Sequence, residues 1–417
     1  MENDGQNPSQ GKKGSVRLRR PSKRMQRRGN ENAYGQWAED GSYHLEVNAK
    51  AQIKKANRNR IFRYILKKKE VSMADISRQL VISLPTITEH MAKLKEMGVL
   101  VENGLYESTG GRRAKVISIN PRSKVACGVN ITHSTMDLVI VDLLGGVIDY
   151  FKEEIPCAIN HEYLDHMRTQ LLGMIEKNSL FEQSILGVGI SLPAIVDADG
   201  VIYDTAFDAP LPPDVHRTTQ EYIPFPVRFF NDASSGGYAE FWHCKSGENL
   251  FYLNLSETVG GAIRVHNRIL DGDDYRSAEI GHTTIVPNGR QCYCGQKGCL
   301  YAYCSSNCLA TPAEGGLRPF FQKLEDGDPE CGLKWDEYLN YLAIGINNIR
   351  LLFDCDVILG GSVGRFVPKY VPQLAERLGR RDSFHRAADY LRVCEYHSES
   401  SAVGAALMFI DQYIAQV

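Results

Sequence analysis

The chain has 417 residues, 43% hydrophobic and 24% charged, with a formal net charge of −2. That length excludes a single small module and leaves room for two or three domains, each with its own core. The near-neutral total hides an asymmetry: residues 1–124 carry 26 Lys and Arg against 12 Asp and Glu, whereas residues 125–417 carry 22 against 38. A basic front suits a polyanion, because each phosphate it neutralises releases counterions, while an acidic remainder stays off the duplex. Double-stranded DNA is the partner this favours. The N-terminus lacks the apolar core of a signal peptide, and no stretch approaches roughly 18 apolar residues, so a cytoplasmic chain with no membrane association is expected. In a reducing compartment, clustered members of the eleven cysteines hold metal more readily than they pair, and isolated ones such as Cys127 and Cys355 are small core residues.

Residues 1–48 are rich in Gly, Asn, Ser and charge, with nine basic residues and no acid between Lys12 and Arg28, and are expected to form a disordered basic tail. Residues 49–121 have the pattern of a winged helix. From Gln52 onwards Ile53, Ala56, Ile61, Ile65 and Leu66 recur near the helical period. Ser72 can cap a second helix carrying Ile76 and Leu80, Val81-Ile82-Ser83 makes a turn, and Ser83 can cap a third helix that tolerates Pro85 in its first turn. That helix buries Ile87, Met91 and Leu94 and ends at Gly98. Val99–Val101 and Lys115–Ile119 follow as strands flanking Gly110-Gly111-Arg112-Arg113, the tip of a wing. The third helix is expected to expose Thr86, Thr88, Glu89, His90 and Lys93 to base edges and phosphates of a major groove. Arg112 and Arg113 would add phosphate or minor-groove contacts.

Beyond Pro121 the composition changes to strands with glycine turns. Val125–Ile131, Met136–Asp142 and Gly146–Phe151 form one predicted meander, and Leu250–Leu255, Gly261–Val265 and Arg268–Leu270 a second. Two similar meanders suggest two lobes with a cleft between them, where a small ligand would bind. The strongest local signal is His282 followed by Cys292-Tyr-Cys294-Gly-Gln-Lys-Gly-Cys299. Three thiols and an imidazole, with Gly295 and Gly298 permitting tight turns, match a closed tetrahedral Zn2+ site. Cys304 and Cys308 lie close enough in sequence to remain alternative ligands.

Glu279-Ile-Gly281-His282 together with the Cys-x-Cys-Gly-x-x-Gly-Cys run resembles the signature of the ROK family of repressors, open reading frames and kinases. Asn231-Asp232-Ala233 resembles that family's catalytic-loop motif, and the winged helix resembles its repressor branch. The resemblance covers about residues 52–417. It implies an α/β fold: the winged helix followed by a two-lobed, actin-like and RNase-H-like sugar-kinase domain. Lobe 1 would comprise residues 122–233 and 399–417, and lobe 2, with the zinc site, residues 234–398. It also implies a sugar or sugar phosphate in the cleft, and a homodimer or tetramer. Carried over residue by residue, Asn231, Asp232, Glu279 and His282 would bind sugar hydroxyls, with the metal fixing which tautomer of His282 faces the ligand.

The departures from the kinase pattern are equally informative. The Asp-x-Gly-Gly-Thr phosphate loop is replaced by Asn130-Ile131-Thr132-His133-Ser134, and the second loop, Gly-Thr-Gly in kinases, is Ser256-Glu257-Thr258. Side chains obstruct the first and a carboxylate repels phosphate at the second. Gly360-Gly361-Ser362 resembles the adenosine loop, and Asp232 keeps the position of the kinase base. The sugar-binding Glu after the last cysteine and leucine is Tyr301, and the Pro-Gly turn is Pro193-Ala194, so an altered pocket is expected. The expectation is a sugar-responsive, non-enzymatic repressor of carbohydrate-utilisation genes. The rivals are an ATP-dependent sugar kinase and a regulator that senses a protein of the sugar phosphotransferase system.

Overall fold

The computed structural model describes residues 46–105, 115–207, 210–381, 388–396 and 399–417. The chain divides into two compact units, Met1–Asn57 and Arg58–Val417. The expected basic tail and the Gly110–Arg113 wing tip fall outside the described residues, apart from the first turn of α1.

The N-terminal elements are α1 (Glu46–Lys68), β1 (Glu70–Val71), α2 (Met73–Leu80), α3 (Leu84–Glu96), β2 (Leu100–Leu105) and β3 (Lys115–Ile119). Ser72 starts α2 through a reciprocal cap: its hydroxyl accepts the Asp75 N–H at 3.1 Å, and the Asp75 carboxylate accepts the Ser72 N–H at 3.2 Å. Ser83 makes no equivalent bond to the α3 backbone; its hydroxyl meets Thr86 Oγ1 at 2.9 Å instead. Ile61, Phe62 and Ile65 of α1 form one buried cluster with Ile76, Ile87, Met91 and Leu94. The wing is a three-stranded sheet of order β1-β3-β2. The two-residue β1 is too short to show any alternation in sequence, and β2 runs on past Val101 because Glu102 and Leu105 still pair with β3.

Lobe 1 contains β4 (Val125–Ile131), β5 (Thr135–Asp142), β6 (Val147–Glu154), α4 (His161–Lys177), β7 (Ile185–Leu192), the hairpin β8 (Ala194–Val196) and β9 (Ile202–Thr205), α5 (Val215–Tyr222), and β10 (Val227–Asn231), which leads into α6 (Asp232–Trp242), a helix whose packing against sheet is mainly on that of lobe 2. Its five-stranded sheet has the order β10-β7-β4-β5-β6. All seven residues of β4 are buried, which is why its sequence is apolar without alternation. Val125, Cys127, Val129 and Ile131 share a core with Leu164, Met167 and Leu171 of α4.

Lobe 2 repeats the plan with β11 (Leu250–Leu255), β12 (Val259–Val265), β13 (Arg268–Ile269), α7 (Tyr301–Cys304), α8 (Leu317–Glu325), α9 (Pro329–Phe353), β14 (Asp356–Gly360), α10 (Gly361–Gly364), α11 (Val371–Gly379) and β15 (Leu391–Val393). The sheet order β13-β12-β11-β14-β15 mirrors lobe 1: an antiparallel meander on one side and parallel strands on the other. The last helix, α12 (Ser400–Gln416), returns to lobe 1 and packs on α6, β4 and β7. Its far end meets α1: the side chains of Arg58 and Asn59 donate to the carbonyls of Val417 and Ile414, and Arg63 lies 3.6 Å from Asp411. Ile410, Ile414 and Val417 belong to the same buried cluster as Ile61, Phe62 and Ile65. Among the described residues no helix is long and apolar enough to cross a membrane.

Candidate metal and ligand site

His282, Cys292, Cys294 and Cys299 present one donor atom each, all within 4.8 Å of one another. Cys294 Sγ is 3.8 Å from Cys299 Sγ, and Cys292 Sγ is 3.7 Å from His282 Nδ1. Two thiolates about 2.3 Å from one tetrahedral ion would lie about 3.8 Å apart, so the donor set fits a four-coordinate metal. The loop achieves this through its glycines. Gly295 and Gly298 both have φ of +85°, and a Cβ on Gly298 would lie 1.7 Å from the Val286 carbonyl oxygen. Cys304 and Cys308 stand apart: the first is buried in the lobe 2 core, and the second lies 3.3 Å from the Ser305 hydroxyl.

With Nδ1 turned to the thiols, His282 directs Nε2 outward, and Tyr293 meets it with its hydroxyl at 3.0 Å. Tyr293, the residue between two of the cysteines, is the member that the sequence reading missed. Its ring packs edge-on against Tyr301 at 4.7 Å and against His282 at 5.1 Å. Burial, and with it the charges of Glu279 and Asp232, disfavours its phenolate. Burial pushes the Glu279 carboxyl up to about 7, and the neighbouring Asp232 carboxylate adds to the shift. Burial also raises Asp232, against the Thr258 hydroxyl and two backbone N–H groups that favour its charged form. Thr258 donates to Asp232 Oδ2 at 3.0 Å and Asn254 approaches the same oxygen at 3.4 Å. Tyr293 therefore joins His282 and Tyr301 in one polar and aromatic cluster beside the Cys/His donors, on which the charges of the buried Asp232 and Glu279 carboxyls act. Asn231 belongs to it less directly. Its Oδ1 caps α6 by accepting the Ser234 N–H at 2.7 Å, and its amide donates to the Ala194 carbonyl at 2.9 Å, tying the cluster to the β8–β9 hairpin.

The winged helix corrects one expectation. His90 is 4% exposed and shares the inner face of α3 with Ile87, Met91 and Leu94, so it belongs to the core and not to the outward face. Spacings of three and four residues place 87, 90, 91 and 94 on one stripe. Thr88, Glu89 and Lys93 are exposed as expected, and Thr86 is half-buried. The Thr88 hydroxyl turns back to the Leu84 carbonyl at 2.9 Å, and Lys93 pairs with Glu96 at 3.0 Å. Glu102 on β2 receives both Lys95 of α3 and Lys115 of β3, which hold its carboxyl down at about 2 and strap the wing to the helix. Arg112 and Arg113 lie outside the described residues.

A winged helix joined to two lobes of repeated topology, with a Cys/His cluster and two carboxyls raised by burial, defines a winged-helix protein built on a sugar-kinase-like domain. The ROK family model matches residues 127–412, and the chain belongs to that family. A winged helix-turn-helix DNA-binding model matches residues 55–101. The xylose repressor of Bacillus subtilis (strain 168) is 26% identical over 391 residues, covering 89% of this chain and all of that protein. The N-acetylmannosamine kinase of Vibrio cholerae is 26% identical over 248 residues, 57% of this chain and 84% of that one. A crystal structure of a ROK family transcriptional regulator homologous to the Escherichia coli MLC protein superposes with a TM-score of 0.69 over 87% of this chain and 97% of that chain, at 21% identity. A ROK family glucokinase from Streptomyces griseus, solved with glucose and AMPPNP, gives 0.58 over 68% of this chain and 98% of that one, at 22% identity.

Proposed function

We propose that this chain is a sugar-responsive transcriptional repressor: its winged helix binds an operator, and its two-lobed domain binds a sugar without phosphorylating it. The observation that carries the reading is the polar cluster of Asp232, Glu279 and His282 on a chain that also holds a winged helix. A polyol needs convergent donors and acceptors, and this cluster supplies two carboxyls, an imidazole and the phenols of Tyr293 and Tyr301. With its carboxyl raised to about 7, Glu279 exchanges a proton near neutrality and can either donate to or accept from a hydroxyl. The xylose repressors among the relatives make D-xylose the first candidate, ahead of N-acetylmannosamine and glucose.

The metal is best read as zinc, held by His282, Cys292, Cys294 and Cys299. Bound zinc would supply no chemistry to a reaction here; it would fix the loop that carries Tyr293 and set the His282 tautomer whose Nε2 meets the Tyr293 hydroxyl. Catalysis is disfavoured because the loop that reads Gly-Thr-Gly in the kinases it resembles is Ser256-Glu257-Thr258 here, and a carboxylate there would repel a nucleotide phosphate. A homodimer with two winged helices would read two operator half-sites about one or two helical turns apart. Thermal denaturation with D-xylose, D-glucose and N-acetylmannosamine tests the sugar reading. One of them is expected to raise the midpoint of the wild type and to lose that effect in Glu279→Gln. No shift with any sugar at millimolar concentration would reject it.

A further inference from the structure

The turn between β11 and β12 touches both lobes. Ser256 fixes it within lobe 2: its carbonyl accepts the Ser306 N–H at 2.8 Å and its hydroxyl accepts the Ser362 N–H at 3.1 Å. From this rigid base Glu257 reaches the β4–β5 turn of lobe 1. Its Oε2 accepts the His133 backbone N–H at 3.2 Å and lies 3.5 Å from His133 Nδ1, while its Oε1 accepts the Ser134 hydroxyl. Burial alone would raise this carboxyl, yet the bonds from His133 and Ser134 and the charge of His133 together hold it below the ordinary glutamate value. His133 is itself held in place, with Nε2 2.9 Å from the Ala206 carbonyl and its ring edge-on to Phe207 at 5.2 Å. The residue after Glu257 is Thr258, which grips Asp232.

We infer that Glu257 is an interlobe latch: a carboxylate carried by one lobe and bound by a backbone N–H, a hydroxyl and an imidazole of the other. It sets the opening of the cleft with a charge supplied by the chain itself. Because Glu257 and Thr258 share one turn, release of the latch moves the group that orients Asp232, which makes Glu257 a positioning residue for the ligand cluster. The latch does not require that the ligand be a sugar, or that any ligand be bound.

A double-mutant cycle in the full-length, metal-loaded protein, read by hydrogen–deuterium exchange, tests this. Glu257→Ala is expected to speed exchange across residues 131–135 of lobe 1 about tenfold, and His133→Ala to speed exchange across the 256–258 turn of lobe 2 by a similar factor. The double variant should add little to either single one. Glu257→Gln, which keeps the shape and one acceptor but loses the charge, should fall between wild type and Glu257→Ala, and it replaces Glu257→Ala in the cycle if that variant does not fold. Faster exchange confined to the lobe that carries the substitution, or effects that add in full, would overturn the latch.

Discussion

Cys294 is the most exposed of the three clustered thiols, so its loss tests the proposed metal site with the least disturbance to packing. The wild type is expected to carry about one zinc per chain, and Cys294→Ser to lose most of it together with ligand-induced stabilisation, both read by elemental analysis and thermal denaturation. Wild type with under a tenth of an equivalent, prepared without chelator, would contradict the assignment. A second expectation concerns Glu240, 5% exposed, whose carboxyl accepts the N–H groups of Glu395 and Tyr396 at 3.0 Å each. Burial lifts it from 4.5 to about 7 against those two bonds. The folded state then holds a proton that the unfolded state has released. Stability from this group is therefore whole below pH 4.5, falls as pH rises, and has dropped by at most roughly 3 kcal/mol at about pH 7. Glu240→Gln should gain on wild type as pH rises from about 5 to 8 in denaturation midpoints; a difference constant with pH would show that the carboxyl is not so shifted. At this scale the sequence made the Cys/His donor cluster legible, because all three cysteines lie in one short run and spacing alone brings them together. Tyr293 and Glu257 were harder. Tyr293 acquires a role only when the cysteine loop folds back on His282, and Glu257 finds its partner on a turn more than a hundred residues earlier in the chain.

Elements were legible where burial leaves a continuous apolar run or a cap leaves its residue. The meander strands β4 and β11 stand where their apolar runs lie, and the cap of α2 was visible in Ser72, to which the structure adds the answering carboxylate of Asp75. Ser83 takes the N-cap position of α3 as expected, although its hydroxyl bonds Thr86 and not the backbone, whereas β1 was not legible, since a two-residue strand carries no periodic signal. His90 shows a further limit, since a histidine on an otherwise apolar stripe has the composition of a surface residue and the position of a core one. The geometry separates the two roles experimentally. Substituting Thr88, Glu89 or Lys93 on the outward face is expected to change operator preference or affinity, with base contacts worth about 1 to 3 kcal/mol each and little loss of stability. His90→Ala should instead lower the melting temperature and leave operator preference intact. Selection of bound sequences from random duplexes, paired with denaturation of the same variants, distinguishes these outcomes. A relaxed preference in a stable His90→Ala protein would return that side chain to the DNA face.

In the whole molecule α12 spans the route from ligand cluster to DNA-binding elements. At its start the Ser401 hydroxyl donates to the Asp232 carbonyl at 2.9 Å, and at its end Ile414 and Val417 meet α1 through Asn59 and Arg58. A ligand that shifted Asp232, or a change in lobe angle at the proposed Glu257 latch, would act on a helix whose other end supports the winged helix. The two-lobed plan was legible from paired meanders, whereas this link was not, because it joins residues at opposite ends of the sequence. Coupling of this kind requires that the ligand favour one of two arrangements by about 1 to 3 kcal/mol. Operator affinity of the intact protein, measured by fluorescence anisotropy with and without D-xylose and in the absence of nucleotide, tests the central claim. The account predicts a change in affinity of about 5- to 150-fold, abolished by Glu279→Gln. Affinity unmoved by D-xylose, D-glucose or N-acetylmannosamine, alongside ATP-dependent phosphorylation of any of them, would contradict it.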